Sequence, residues 1–120
     1  MSISKDLYLK FNDIISGQEE SSKELRKKIS NYQQTVTAGN SNTIKIESEI
    51  DGEIYNLKEF QSQLEEAYSN RNAPSQIPAI ELDRRQKEIQ KLGINIQDIE
   101  NSYKNVQNQK YTFKGQVFNI

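Results

Sequence analysis

Apolar residues in this chain recur at intervals of three and four along three long segments, and that spacing governs what it can fold into. In the third segment Leu82, Ile89, Leu92, Ile96, Ile99, Tyr103 and Val106 follow a regular heptad, with Arg85 in the one seam position that lacks an apolar residue. Such intervals put side chains on one stripe of a helix, whereas a strand needs alternation every second residue. The first segment repeats the pattern more loosely through Leu7, Phe11, Ile14, Leu25, Ile29, Tyr32 and Val36. The second does so through Ile46, Ile50, Ile54, Leu57, Phe60, Leu64, Ala67 and Tyr68. A single helix cannot bury so narrow a stripe by itself. Three helices can bury theirs against each other.

Two polar breaks separate the segments. Thr37-Ala38-Gly39-Asn40-Ser41-Asn42-Thr43 combines a glycine suited to positive φ with Ser41, Asn42 and Thr43, any of which can cap a helix start. The stretch from Ser69 to Pro78 holds both prolines of the chain; neither continues a helix, although Pro78 suits the first turn of a new one. The expected fold is therefore all-α, an antiparallel up-down-up three-helix bundle over residues 1–108, with helices at about 3–36, 43–69 and 78–107. Within the first helix, Gly17 marks a place for a bend, and Gln18, Ser21 or Ser22 must fill the seam. Residues 109–120 change character: Tyr111, Phe113, Val117 and Phe118 around Gly115 are strand-favouring types. They predict a short irregular tail, compatible with a linker, a docked tail or a peptide that packs on the bundle.

Composition narrows the function more than the fold. A length of 120 residues suits one domain. The chain has no His and no Cys, which removes the usual neutral-pH base, the usual thiol nucleophile and the usual zinc ligands. Carboxylate pairs such as Glu19 with Glu20, Glu65 with Glu66, and Glu47 with Asp51 on one face, are expected off the apolar stripes, where nothing separates their pKa values for acid–base work. Asp51-Gly52-Glu53 lacks the alternating oxygen ligands of a calcium loop, and no glycine-rich phosphate cradle is present. The expectation is a protein that is not an enzyme, with no catalytic residues, no cofactor and no metal. With 16 basic and 17 acidic residues the formal net charge is −1, and the densest basic run, Lys23 to Lys28, is broken by Glu24. That balance argues against a nucleic-acid partner. No apolar run approaches the ~18–20 residues of a membrane span. Met1-Ser2-Ile3-Ser4-Lys5-Asp6 carries no apolar signal core, so cytosolic exposure is expected.

Four residues stand out as partner-binding candidates. Arg84 and Arg85 open the third helix, and Arg85 interrupts an otherwise apolar seam. Its bland reading lays the methylenes along the end of the bundle and puts the guanidinium in water or on a second-helix carboxylate. Its functional reading is a recognition residue on an exposed groove. Glu53 and Glu59 are the second-helix carboxylates assigned to the same surface.

The run Glu81-Leu82-Asp83-Arg84-Arg85-Gln86 follows a proline-containing turn and opens a heptad helix. In this it resembles the third helix of the N-terminal domain of Qc-type SNARE proteins, of the syntaxin 8 type. Ile50 to Leu64, with Leu57-Lys58-Glu59, is compatible with the middle helix of such domains, and the first helix fits in length and position. The resemblance implies an Habc-type bundle ahead of a SNARE motif and a C-terminal membrane anchor, neither of which this chain contains. It further implies a non-catalytic regulatory domain in vesicle transport and membrane fusion. Such a domain binds SNARE or other trafficking proteins, or its own SNARE helix, on the cytosolic face of endosomal or Golgi membranes. The isolated chain is expected to be a monomer. The alternative is a structural coiled-coil adaptor whose seams pair between chains.

Overall fold

The computed structural model describes residues 11–39, 42–69 and 77–118, with side chains through residue 110. Helix α1 runs Phe11–Thr37, α2 Ile44–Ala67 and α3 Ala79–Phe118. The expected seam residue Leu7 lies outside the described residues. Ring contact of Phe11 with Tyr68 joins the start of α1 to the end of α2, and Tyr32 bonding Glu47 joins their other ends. Gln61 on Ile89, Lys58 on Glu100 and Lys110 on Glu47 run α3 against α2 in the opposite sense. Arg84 on Asn12 and Tyr32 against Tyr103 set α3 alongside α1 in the same sense. The order is up-down-up, and the molecule is a rod of 65 × 21 × 18 Å.

Helix ends follow local chemistry. Gly39 closes α1 with φ of 81°, its amide donating to Val36 O at 3.0 Å while Ala38 N donates to Gln34 O at 2.9 Å. An L side chain resists that conformation, so the glycine is required there. Thr43 sits at the start of α2, but its hydroxyl makes no cap bond; it accepts a hydrogen bond from Lys110 instead. Pro78 stands immediately before α3, where its carbonyl accepts from Leu82 N at 2.9 Å.

Burial shows that all three helices share one heptad lattice, including the two whose spacing reads loosely in sequence. In α1 the seam is Phe11, Ile15, Gln18, Ser22, Leu25, Ile29, Tyr32 and Val36, an unbroken alternation of four and three. Ile15 takes the buried place expected for Ile14, which packs on the shoulder of the core. Ser22 fills the polar gap at 2% exposure and satisfies its hydroxyl on Gln18 O at 2.9 Å, so the helix passes Gly17 without interruption. In α2 the seam is Thr43, Glu47, Ile50, Ile54, Leu57, Gln61, Leu64 and Tyr68. Glu47, expected off the stripe, stands in it because Tyr32 and Lys110 of the other helices bond its carboxylate there. Ile46, Phe60 and Ala67, expected on the stripe, are partly buried beside it. Each fully buried Leu, Ile or Phe side chain contributes roughly 1.5–3 kcal/mol, so these seams supply most of the driving force.

The third helix departs from expectation at its far end. Its backbone stays helical to Phe118, where an irregular tail from 109 was expected. Strand-favouring residue types do not stop a helix that already has a turn to extend. No proline follows Pro78, and Gly115 costs about 1 kcal/mol without removing a hydrogen bond. The heptad register also continues through Lys110 to positions 113 and 117. Side chains beyond 110 lie outside the described residues, so the packing of the tail does too.

Candidate partner-binding surface

Arg85 lies between two aromatic rings. Its guanidinium carbon is 5.1 Å from the Phe11 ring centroid and 5.6 Å from that of Tyr68. Its Nε donates to Glu81 Oε1 at 3.0 Å and its Nη1 to the Tyr68 hydroxyl at 3.2 Å. The side chain is 15% exposed. Burial pushes the Tyr68 hydroxyl up, with the arginine pulling against it. Arg84 reaches the same carboxylate, with Nη2 at 2.6 Å from Glu81 Oε1, and lies 5.8 Å from the Phe11 centroid. Hydrogen bonds from Arg84 and then Arg85 hold the Glu81 carboxyl down at about 2. Arg85 thus serves the bundle end, on a carboxylate of its own helix and not one from α2. Arg84 keeps about half of its side chain open to a partner.

The four sequence candidates do not converge. Glu53 faces α1, where Lys28 Nζ meets its Oε2 at 2.8 Å, beside a cleft of about 310 Å³ that includes Gln18 and Asn56. The Lys28 ammonium is held above its ordinary pKa by that carboxylate. Glu59 is exposed on the outward side of α2. The two arginines sit at the opposite end of α3 from Lys110.

A different surface assembles between α2 and α3. Here a groove of about 600 Å³ is floored by Gln61 and Gly93 and bridged by Lys58 Nζ on Glu100 Oε2 at 2.7 Å. The Lys58 hydrogen bond is the main reason the Glu100 carboxyl lies below its usual range. Gln61 is 8% exposed, and its Nε2 donates to Ile89 O at 2.8 Å and to Glu65 Oε1 at 3.0 Å. A Cβ at Gly93 would stand 3.0 Å from that Nε2, so the glycine lets the amide lie against α3. Gln61 Oε1 is buried with no hydrogen-bond donor, at a cost of about 1–3 kcal/mol. By comparison, the cleft between α1 and α3 that includes Ile15 and Leu92 measures about 210 Å³.

Exposed apolar residues concentrate on the same side. Among the described residues the exposed large hydrophobics are Ile44, Tyr55, Ile80 and Ile94, and none is on α1. Ile44 and Tyr55 share the α2 row that continues through Lys58 and Ser62 into the groove, by the helical intervals between them. Ile94 lines the groove from α3, and Ile80, two heptads earlier, extends that row. Sequence reasoning passed over Gln61, Gly93, Tyr55 and Ile94. A signal was available: these are an apolar pair off the stripe, a polar residue on it, and a glycine inside the most regular helix.

At the far end a second polar layer closes the bundle. Lys110 Nζ donates to Thr43 Oγ1 at 2.7 Å and to Glu47 Oε2 at 3.1 Å. The Tyr32 hydroxyl donates to the same Glu47 oxygen, and that of Tyr103 to Glu47 O at 3.3 Å. Burial pushes the Glu47 carboxyl up, but bonds from Tyr32, Lys110 and Thr43 outweigh it and leave it below its ordinary value. A carboxylate so held is a weak proton acceptor at neutral pH. Among the described residues no group of three or more acidic side chains is placed to hold a metal ion, and no helix is long and apolar enough to cross a membrane. No family model, curated protein or solved structure matches this chain.

Proposed function

We propose that this chain is a non-catalytic interaction domain that binds an amphipathic partner helix along the α2–α3 groove. The reading follows the resemblance to the N-terminal domains of Qc-type SNARE proteins. In that setting the partner is a SNARE helix or another trafficking protein on the cytosolic face of endosomal or Golgi membranes. The observation that carries it is the one-sided distribution of exposed apolar side chains: Ile94 lines the groove and Tyr55 stands one helical turn before its Lys58, while α1 contributes none among the described residues. Helix-in-groove recognition uses such spaced apolar anchors with polar groups between them. Here Lys58, Glu65 and Glu100 supply the charges.

Titration of the chain with a synthetic Q-type SNARE-motif helix, followed by amide chemical shifts, tests this. Shifts should cluster at Tyr55, Gly93, Ile94 and Gln97, and Y55K with I94K should abolish binding while helicity by circular dichroism stays unchanged. Shifts confined to α1, or none at saturating peptide, would sink the reading.

A further inference from the structure

The seams of α2 and α3 carry opposite charges at the level where those two helices meet. Glu47 occupies a seam position of α2, and Lys110 a seam position of α3; their side chains are 20% and 12% exposed and 3.1 Å apart. Arg85 occupies another seam position of α3, again at 15% exposure. Lys110 finds Glu47 and Thr43 only in the closed bundle. Arg85 keeps Glu81 of its own helix in either assembly, and it is the contacts with Phe11 and Tyr68 of the other two helices that closure adds.

The alternative open to such a sequence is self-pairing of its longest helix. With 40 residues and a sustained heptad, α3 is long enough to form an interchain coiled coil in place of the bundle. In a parallel, in-register pair Lys110 would face Lys110 and Arg85 would face Arg85, each a like-charge contact inside a seam. Self-pairing of α2 would likewise set Glu47 against Glu47. Charged seam residues that are satisfied in one assembly and repelled in another are the device by which helices select partners.

We infer that Glu47, Arg85 and Lys110 act as a selectivity lock, holding the chain in its closed three-helix form by making homotypic pairing of α2 or α3 unfavourable. This goes beyond the proposed binding function, since it concerns which assembly presents the groove. The short α1–α2 connection, turned by Gly39 at positive φ, favours closure from the other side.

The test uses the full chain and its mass by light scattering across about two decades of concentration, where mass action separates closed from paired forms. The wild-type protein should remain monomeric. The variant carrying Glu47→Leu, Arg85→Leu and Lys110→Leu should shift to dimers or larger species, with helicity that rises with concentration. A charge exchange, Glu47→Lys with Lys110→Glu, should stay monomeric. A nitroxide on Ser102→Cys, the only cysteine then present, should report an interchain distance in the leucine variant and none in the exchange variant. A leucine variant that is helical and monomeric at every concentration overturns the lock. Should that variant lose its helicity, Glu47→Gln with Arg85→Met and Lys110→Met removes all three charges at nearly constant length. Self-association there supports the lock, and a monomer throughout overturns it.

Discussion

Arg85 and Lys110 both replace an apolar residue in the seam of α3, yet the two ends of the bundle accommodate their cations in different ways. At the Arg85 end the countercharge is Glu81, one turn away on the same helix, and the other partners are aromatic faces. At the Lys110 end the countercharge comes from α2, and Tyr32 of α1 bonds the same carboxylate. The first layer is half assembled as soon as α3 is helical. The second exists only once all three helices have docked. A charge in a seam is therefore no single kind of feature: its consequence depends on whether its partner is local or tertiary.

Mutations can break this contrast. Lys110→Ala should have the largest effect, about 2–3 kcal/mol. That lies below the range for removing one partner of a fully buried pair, because both side chains keep some exposure. Urea denaturation should show a lower midpoint with an unchanged slope. Glu47→Gln should make the Lys110 change much milder, because the two residues form one layer. Arg85→Ala should cost about 1–2 kcal/mol, from lost cation–π contact and lost packing of its stem, with Arg85→Lys recovering part of it. Arg84→Ala should cost less than either, since its pair with Glu81 is solvent-screened. An Arg85→Ala loss as large as that of Lys110→Ala would erase the distinction between local and tertiary layers.

Acid sharpens the same comparison with a smaller effect. Glu81 is held at about 2 against an ordinary 4.5, and Glu47 is also depressed. A depressed carboxylate contributes stability above its unfolded pKa and loses it as pH falls through its folded one. Stability should therefore be flat from about pH 6 to 8, where a chain without His has no side chain of ordinary pKa to titrate, and should decline below about 4.5. Glu81→Gln should shallow that decline without changing the neutral-pH dependence. Thermal melts across the range read it directly, and a step between pH 6 and 8 would contradict the assignment.

The helices and their breaks were legible because helix formation and termination are local. Intervals of three and four, Gly39 at a stop and Pro78 before a start each act within a few residues. Ile14 and Ile15 were not separable in this way, since both are apolar and either satisfies a loose stripe. Only the register set by Phe11 and Leu25 against the other helices buried Ile15. The C-terminal stretch misled for a related reason: residue type favours strand there, but an existing helix propagates at little cost per residue. Among the candidate site residues, Arg84 and Arg85 were visible as an anomaly in the seam, though their occupation by Glu81, Phe11 and Tyr68 was not. Gln61 on the stripe and Gly93 inside the third helix were anomalies of the same kind, but the groove they floor was not legible, because it is defined by how closely two helices approach.

By itself, then, the sequence determined three amphipathic helices, the breaks that separate them and the need to bury three narrow stripes together. Tertiary structure decided which polar residues lie in those seams, with what partners, and which face stays apolar and open. The physical reason is that helical periodicity is a property of one segment. The fate of a buried charge depends on what a second and third helix bring to it.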